Sequence, residues 1–363
     1  MFESLYIHVP FCNGKCAYCA FYSIRPEPEL RRAYLTRLTG ELEAHAPECG
    51  ELRSIFIGGG TPSILTPEEW EPIFETIHRV FRLFPHCEWS VEANPESLTP
   101  ELISFFASHG VTRLSIGIQA FQENLRRRIG RNGSLENLPR IVEAIRASSI
   151  SELNFDLIYN IPGQTTDEWR ESLRMALAYG PTHLSAYALT LEENTRLARE
   201  MEPPSDEDFI QFWDMNDEVM SAAGFRRYEI SNFALPGHEC RHNLEIWKGG
   251  TYLGCGPAAT SFDGKDRFTN PASVVEWLKG APPEVDSLSH EARACEILAF
   301  GMRMVDGWDW KLFRRRTHCD PMQLRGAELR RLETQGLIRL NDTGAAPTRQ
   351  GLLFNDDVAM ALL

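Results

Sequence analysis

Three cysteines near the start of the chain, Cys12, Cys16 and Cys19, have the residue type and spacing of a metal-cluster loop. They form a C-x₃-C-x₂-C run directly after the apolar segment at residues 5–9. Three thiolates on one tight loop can bind three irons of a cubane [4Fe–4S] cluster and leave the fourth iron without a protein ligand. Because an open metal position is where a substrate or cofactor binds, the spacing predicts a reactive rather than a structural centre.

The alternatives for these cysteines are a zinc site and a disulfide framework. A structural zinc ion needs four ligands in paired groups, and no second pair with that spacing occurs in the chain. The nine cysteines are an odd number, and we expect no signal peptide because Met1 lies so close to the first apolar segment. We expect most of the other six to be small buried or surface thiols: Cys49, Cys87, Cys240, Cys255, Cys295 and Cys319.

The composition is that of a globular protein with an acidic surface. The chain has 363 residues, 43% hydrophobic and 24% charged, which suits one large α/β domain and a smaller one. Its formal net charge of −14, from 37 basic and 51 acidic side chains, argues against nucleic-acid binding. No apolar run approaches the length of a membrane span, and the predicted cluster needs reducing conditions, so we expect a cytoplasmic protein.

Short β-type segments alternate with helical patterns through the first half of the chain. Six segments, most of them rich in β-branched or aromatic residues, are predicted as strands: residues 5–9, 54–57, 88–92, 113–118, 154–158 and 183–189. Helix starts are marked by capping sequences at Thr66, Thr99 and Thr165, and those at Thr66 and Thr165 carry the glutamate of a capping box. The six βα units favour a partial (β/α)₆ barrel over a closed eight-stranded one.

The pattern changes after the sixth predicted strand. We predict a helix from residue 203 to about 223, one strand over 224–233, a Gly/Pro-rich loop over 236–257 and a linker at 281–283. The tail from residue 289 is mainly helical and ends in a helix, a glycine stop and a short hairpin, which is typical of a winged-helix-like domain. The predicted units are a barrel over 1–235, a connecting region over 236–280 and a C-terminal domain over 281–363.

Unusual residues fall where the predicted strands end, which is where parallel barrels build their active sites. The sequence GGGTP at residues 58–62 follows the second strand; its glycines let the backbone approach a ligand, although alone it also fits a flexible turn. Glu92 and Gln119 end later predicted strands, Asp156 lies within one, and Arg131 follows a short helix. Each could be a rim, capping, surface or buried hydrogen-bonded residue, but polar groups on apolar strands need partners, and one small ligand could supply several.

On these motifs, the chain resembles the oxygen-independent coproporphyrinogen dehydrogenase group of the radical S-adenosylmethionine (SAM) superfamily. The segments that carry the resemblance are YIHVPFC (6–12), CAYC (16–19), GGGTP (58–62), SIGIQ (115–119) and FDLIY (155–159), together with the tail. It implies that the three cysteines hold a [4Fe–4S] cluster whose fourth iron binds SAM. It implies SAM contacts at Tyr6, Tyr18, Gly59, Gly60, Thr61, Glu92, Gln119, Arg131 and Asp156. In such proteins an electron from the cluster breaks a C–S bond of SAM and yields a 5′-deoxyadenosyl radical.

Two features separate the chain from the true dehydrogenases of this group. Phe21 stands where the dehydrogenases have a fourth cysteine after the triad. Tyr6 is almost the first residue, so we do not expect the N-terminal extension that helps those enzymes to enclose the porphyrinogen. Both features favour the other branch of the group, the HemW-type haem chaperones.

A third feature points to the same branch. The segment CRHNLEIW at residues 240–247 resembles the HNxxYW signature of the haem chaperones, although Ile246 replaces its tyrosine. The resemblance implies haem as cargo, with His242 as the candidate axial ligand, Cys240 as a second candidate and Trp247 near enough to stack on the porphyrin. From the residues alone, a loop histidine bound to backbone carbonyls and a buried tryptophan are the default interpretation.

The tail also carries a local excess of positive charge. Between residues 311 and 340, eight basic and three acidic side chains leave a charge of +5 on an otherwise acidic protein. A solvated helix face is the default interpretation, and docking to an acidic partner or an anionic membrane is a second one. The negative charge of the rest of the chain argues against DNA binding.

These patterns lead to the hypothesis of a cytoplasmic radical SAM protein that binds haem and passes it to a recipient haemoprotein, for example a membrane-bound respiratory enzyme. SAM would act as a structural or gating ligand, or be cleaved in a turnover step. The rival is a coproporphyrinogen III dehydrogenase, and a radical SAM enzyme with another substrate is a third class. No residue pattern identifies the electron donor.

Overall fold

The strands of the barrel alternate with helices, as the sequence predicts. The computed structural model describes residues 1–131, 133–202 and 206–363. The strands are β1 (Phe2–Val9), β2 (Cys49–Gly59), β3 (Arg82–Ala93), β4 (Arg113–Gln119), β5 (Glu152–Tyr159), β6 (His183–Ala188), β7 (Arg226–Arg227), β8 (Asn232–Ala234), β9 (Tyr252–Cys255), β10 (Thr260–Phe262), β11 (Arg267–Thr269), β12 (Glu284–Asp286), β13 (Trp308–Asp309), β14 (Ile338–Asn341) and β15 (Gly344–Pro347). The helices are α1 (Pro28–His45), α2 (Pro67–Val80), α3 (Pro100–Ser108), α4 (Glu123–Arg128), α5 (Leu138–Arg146), α6 (Thr166–Ala178), α7 (Arg196–Glu200), α8 (Asp206–Ala222), α9 (Arg241–Trp247), α10 (Val274–Leu278), α11 (His290–Gly301), α12 (Trp310–Thr317), α13 (Pro321–Thr334), α14 (Arg349–Leu353) and α15 (Asn355–Leu362).

Strands β1 to β6 lie side by side in sequence order and all run parallel. Each of the six predicted strands overlaps its observed strand, which confirms the partial (β/α)₆ barrel. Beyond β1 the sheet continues through β9, which is also parallel, and then β10, β11 and β12; beyond β6 it continues through β8 and β7. Within the described strands the order ends at β12 and β7, so the barrel stays open.

The parallel strands have one apolar and one polar buried face. Leu5, Ile7 and Val9 of β1 pack in the main core with Tyr34 and Leu38 of α1. The alternate positions carry buried polar side chains: Ser4, Ser54, Glu88, Ser90, Arg113, Ser115, Asn154, His183 and Ser185. Because buried polar groups need partners, this polar face must form hydrogen-bond networks inside the barrel.

The predicted helix starts are confirmed. The hydroxyl of Thr66 accepts the amide of Glu69 at 3.4 Å, and the Glu69 carboxylate accepts the amide of Thr66 at 2.9 Å. The same reciprocal pair joins Thr165 and Glu168. These caps fix where α2 and α6 begin and so hold the preceding loops at the carboxyl end of the barrel.

Two predictions after β6 differ from the structure. The predicted single strand over 224–233 is wrong: the segment forms β7 and β8, because the Glu229 carboxylate between them accepts the amide of Ser231 at 2.7 Å and turns the chain. The predicted loop over 236–257 is also wrong, since it contains α9 and β9. Of the predicted helix from residue 203, α8 is observed from Asp206, and residues 203–205 lie outside the described part of the chain.

The C-terminal region has its own core around Trp308, Trp310 and Phe313. Helices α11 to α13 pack with a three-stranded sheet of order β13-β15-β14, which agrees with the winged-helix-like prediction. The main sheet runs on through β9 to β12, past residues 235 and 281, so the predicted unit boundaries stay a prediction. None of the helices in the described ranges is long and apolar enough to cross a bilayer.

Candidate functional site

The three cysteines of the cluster motif lie between β1 and α1, at the carboxyl end of β1. The segment is folded by its own backbone: the amide of Cys12 donates to the carbonyl of Ile24 at 2.9 Å, and that of Cys19 to Cys16 at 3.4 Å. The amide of Ala17 donates to the carbonyl of Ile129 at 3.0 Å, which docks the segment on the end of α4. All three thiols are free and partly exposed, so they are open to ligation.

The donor set of this segment fits an iron–sulfur cluster. In the described residues, no three His, Cys, Asp or Glu side chains converge closely enough to hold one metal ion. In a cubane cluster each thiolate binds a different iron, so the three cysteine sulfurs do not need to converge on one point. The guanidinium Nη1 of Arg131 lies 3.8 Å from Cys16 Sγ, so a cation adjoins one of the three thiols. The residues present therefore fit the cluster that the resemblance implies.

The glycine run at the end of β2 packs closely against β1 and the start of the cluster loop. A Cβ on Gly59, where φ is +103°, would lie 2.5 Å from the ring of His8. A Cβ on Gly60 would lie 2.6 Å from the carbonyl oxygen of Phe11, next to the first cysteine. The Thr61 hydroxyl lies within hydrogen-bond distance, 3.4 Å, of Cys12 Sγ. Glycine is thus required for the GGGTP segment to contact the cluster loop, and the flexible-turn alternative does not account for this packing.

Two carboxyl groups share the mouth of the barrel. Oε2 of Glu92, at the end of β3, accepts the amide of Gly59 at 3.0 Å. Burial and then the neighbouring Asp156 raise the pKa of Glu92 to about 8. Asp156 accepts the Ser115 hydroxyl at 2.7 Å and the Asn154 amide at 2.9 Å, yet burial still raises its pKa. Two neighbouring buried carboxyls of this kind are suited to a positively charged ligand group.

Arg131 is the buried cation of the mouth, 9% exposed. Its Nη2 donates to Oδ1 of Asn94 at 2.6 Å and to the carbonyl of Gly117 at 2.7 Å, while its Nε has no hydrogen-bond partner among the residues that the structure describes. Burial alone would lower the pKa of Arg131, but Tyr18 and Cys16 outweigh it and raise that pKa. A buried guanidinium with an unpaired donor is suited to an anionic ligand group.

The remaining predicted SAM contacts surround the same mouth. Tyr6 places its hydroxyl 3.0 Å from Nδ1 of His8, and burial raises the pKa of both Tyr6 and Tyr18. Gln119 ends β4 in the left-handed region, with φ of +68°. Asn94 was not singled out by sequence reasoning, although it bonds both Arg131 and Thr61. The sequence signal that could have identified Asn94 is its position between the end of β3 and Pro95.

The motif at residues 240–247 lies away from this mouth, against Glu88, four positions before Glu92 on β3. The predicted loop is instead α9, because the Glu88 carboxylate accepts the amides of Arg241 at 3.1 Å and His242 at 3.0 Å and caps the helix. Arg113 donates to the same carboxylate at 3.3 Å. Helix α9 therefore covers this end of the barrel interior, and the buried Glu88 carboxylate binds its N-terminus.

Both candidate haem ligands are buried. His242 is 3% exposed, its Nδ1 lies 2.8 Å from the hydroxyl of Ser54, and burial lowers its pKa to about 4. The Cys240 thiol donates to Oε1 of Glu88 at 3.4 Å, and burial raises its pKa to about 12. In the described conformation these side chains bind β2 and β3, and neither takes the backbone-carbonyl role of the default interpretation.

Trp247 is partly buried at the other end of α9. The guanidinium of Arg303 lies 4.6 Å from its ring centre. Five positions separate Trp247 from His242, which places them about 140° apart around the helix. The tryptophan and the histidine therefore face different surroundings.

Comparison with known proteins places these sites in a family. The model of the radical SAM superfamily matches residues 6–176, and that of the HemN C-terminal domain matches residues 288–354. The chain is 33% identical to the heme chaperone HemW of Mycobacterium tuberculosis, over 99% of this chain and 94% of that protein. It is 32% identical to HemW of Bacillus subtilis, over 99% of both chains.

A solved structure agrees with this result at the level of the fold. The structure of coproporphyrinogen III oxidase (HemN) from Escherichia coli matches with a TM-score of 0.85 and 20% identity, over 99% of this chain and 89% of that one. The identity is too low to carry the activity across. The two sequence relatives named above each align with 99% of this chain and are HemW proteins, and the cysteine loop and the glycine segment lie against each other at the barrel mouth. The chain belongs to the radical SAM superfamily and, within it, to the HemW family.

Proposed function

We propose that this protein is a haem chaperone that holds a [4Fe–4S] cluster and SAM at the barrel mouth, binds haem and passes it to a recipient haemoprotein. The proposal rests on the alignment of 99% of the chain with proteins named heme chaperone HemW, at 32 and 33% identity. The separation of the mouth from the motif helix α9 supports it, because a carrier with its own cofactors needs two sites.

At the mouth, Cys12, Cys16 and Cys19 would hold the cluster, which supplies a reducing electron to SAM when both are bound. Arg131 would bind the SAM carboxylate, and Glu92, on losing its proton, would bind the SAM amine, because both groups are buried at the mouth. The other proposed SAM contacts are Tyr6, Tyr18, Gly59, Gly60, Thr61, Gln119 and Asp156. Asp156 and Gln119 carry acceptors for the ribose hydroxyls.

For haem we propose the segment at residues 240–247, with His242 or Cys240 as the iron ligand and Trp247 beside the porphyrin. Because both candidate ligands are buried against Ser54 and Glu88, ligation by either requires α9 to shift from the sheet. Ile246 presents an apolar side chain where the family signature has a phenol, so any propionate contact must come from another residue.

The recipient in this proposal is a haemoprotein, and a membrane-bound respiratory enzyme is the specific hypothesis. The segment at residues 311–340, with its charge of +5, offers a surface for an acidic partner or an anionic membrane. We propose a cytoplasmic location, where nine free cysteines and an oxygen-sensitive cluster are maintained.

The test is haem titration of the anaerobically reconstituted protein, followed by transfer to an apo-haemoprotein that can be separated from it. We expect a saturable Soret band that moves to the acceptor. The variants His242→Ala and Cys240→Ala test the two candidate ligands, because loss of an axial ligand shifts the Soret band. Weak, unsaturable binding in the wild type would end the chaperone proposal.

The rival function is oxidative decarboxylation of coproporphyrinogen III. Its support is the HemN-like fold, which is compatible with either function. Phe21, at the position of the dehydrogenases' fourth cysteine, is 68% exposed beside the cluster loop. Incubation with SAM, reductant and coproporphyrinogen is expected to give no protoporphyrinogen, and its formation would replace the chaperone proposal by the rival.

A further inference from the structure

An aromatic cavity of about 130 Å³ lies where α9 meets the outer strands and the first helix of the C-terminal region. Helix α9 contributes Ile246 and Trp247, β9 and β10 contribute Tyr252 and Phe262, and α11 contributes Ile297 and Phe300. None of these residues belongs to the barrel mouth. The cavity therefore combines the last turn of the motif helix with residues that the sequence motifs do not mark.

Trp247, one of the residues that line the cavity, carries an unused hydrogen-bond donor. The indole Nε1 of Trp247 is buried and has no partner within the described residues. An unpaired buried donor costs free energy, and a ligand with an acceptor at this place would remove that cost. Arg303 covers the face of the indole at 4.6 Å and pairs with Glu229 at 3.3 Å, so its charge is already balanced.

The other walls suit an apolar planar ligand. Arg267 lies 5.2 Å from the ring centre of Phe262 and 5.5 Å from that of Phe300. Its charge is neutralised by Glu296, whose two oxygens both lie at 2.6 Å. The lining therefore presents aromatic rings and aliphatic groups, and aromatic rings favour offset or edge contacts with another flat ring.

The rim supplies an exposed ring and a positive charge. Phe300 is 37% exposed although it lines the cavity. Lys248 stands between Trp247 and Gly249, which both line the cavity. Glu245 of α9 pairs with Arg316 at 2.6 Å, whereas Lys248, the residue directly after α9, makes no ion pair with any carboxylate in the described ranges.

The size of the cavity limits what it can hold. Pockets that enclose a whole small molecule measure roughly 300–1,000 Å³. At about 130 Å³ this one fits an edge of a macrocycle and leaves the rest outside. Partial enclosure suits a carrier, because a fully buried cargo could not be handed on without unfolding its site.

We propose that this cavity receives one apolar edge of a porphyrin ring, between Trp247 and Phe300, with Lys248 placed for a propionate. The proposal rests on haem being the cargo and adds the place where the macrocycle is held. In this arrangement α9 and the C-terminal region both contact the porphyrin ring. Neither contact involves the haem iron.

The test uses the full chain with Phe300→Ser and the matched control Phe354→Ser. Phe354 is also a partly exposed phenylalanine of the C-terminal region, at 45%, but does not line the cavity. Titrations use haem and iron-free protoporphyrin IX. We expect Phe300→Ser to raise both dissociation constants at least about tenfold, with Phe354→Ser unchanged within about twofold.

Each outcome decides the proposal. Equal affinities for wild type and Phe300→Ser would overturn the cavity assignment and leave the chaperone function standing. No haem binding by the wild type would remove the function and the cavity assignment together. Lys248→Ala gives a second measurement that leaves the core intact: it should weaken binding of protoporphyrin IX but not of its dimethyl ester, and equal effects on both would exclude the propionate contact.

Discussion

The backbone amide of His242 donates a 3.0 Å hydrogen bond to the carboxylate of Glu88, a residue inside the barrel and 154 positions earlier in the chain. The amide of Arg241 binds the other oxygen at 3.1 Å. Glu88 lies four residues before Glu92 on β3, which corresponds to about 13 Å along the strand. The carboxylate thus fixes the motif helix to the sheet at the end away from the barrel mouth.

Removing this carboxylate should strongly destabilise the protein. Glu88 is 3% exposed and is the nearest anion to Arg113, which is equally buried. Glu88→Ala removes the closer of the two carboxylates that pair with this guanidinium, leaving only Glu152 at 3.9 Å, and uncaps α9. We therefore expect a loss of roughly 3–5 kcal/mol in the free energy of unfolding. Chemical denaturation measures it.

The matched control for this change is Glu123→Ala. Glu123 pairs with Arg127 on an exposed helix face, at 3.1 Å, and should contribute less than about 1 kcal/mol. Similar losses of stability for Glu88→Ala and Glu123→Ala would show that Glu88 does not hold α9 against the sheet.

SAM binding should be linked to pH through Glu92. Burial, followed by the nearby Asp156, raises the pKa of Glu92 to about 8 from an ordinary value of 4.5. The protonated form is favoured in the folded state, so its contribution to stability is complete below pH 4.5 and is lost as the pH rises toward about 8. A cationic amine beside Glu92 favours the carboxylate. We therefore expect SAM binding at neutral pH to release a proton, and SAM affinity to rise with pH up to about 8.

Calorimetry in buffers of different ionisation enthalpy measures this proton release directly. The variant Glu92→Gln keeps the shape of the side chain and should bind SAM with a heat that does not depend on the buffer. A wild-type heat that is equally independent of the buffer would contradict the assignment of Glu92 to the SAM amine.

The cluster assignment predicts a sharp difference between cysteines. Cys12→Ala, Cys16→Ala and Cys19→Ala should each reduce iron and sulfide content after anaerobic reconstitution to near zero. Cys87→Ala is the control, because this thiol is also partly buried and free but lies outside the loop. Iron and sulfide analysis with visible absorbance distinguishes the variants, and full iron loading of Cys16→Ala would exclude this loop as the cluster site.

The parts of the fold that sequence predicts are those fixed by local chemistry. The capping boxes at Thr66 and Thr165 satisfy amides within three residues, so the helix starts can be read directly. The grouping of Glu92 and Asp156 followed from a general rule, since parallel strands carry their active-site residues at the same edge.

The parts that sequence misses depend on distant contacts. Helix α9 has only seven residues, and its start is capped by Glu88 rather than by a neighbouring side chain, so a Gly/Pro-rich segment conceals it. The break between β7 and β8 likewise depends on Glu229, whose carboxylate turns the chain and pairs with Arg303 from the C-terminal region. No local pattern links α9 to Glu88 or Glu229 to Arg303.

The role of His242 in the fold can be separated from any role in binding iron. Its Nδ1 lies 2.8 Å from the Ser54 hydroxyl, which itself donates to the Ser4 hydroxyl at 2.9 Å. A hydroxyl has one proton, so Ser54 must accept the Nδ1 proton of His242. Loss of the imidazole would leave a buried hydroxyl without this partner and a void beside Phe56, whose ring centre is 5.2 Å from that of His242.

We therefore expect His242→Ala to lower the free energy of unfolding by about 2–4 kcal/mol. His242→Asn should stay within about 1 kcal/mol of the wild type, because its amide can occupy the Nδ1 position and donate to Ser54. Denaturation of the haem-free protein measures both. An equal loss in the two variants would show that the hydrogen bond to Ser54 contributes little. With stability preserved, any Soret change in His242→Asn reports on iron ligation alone.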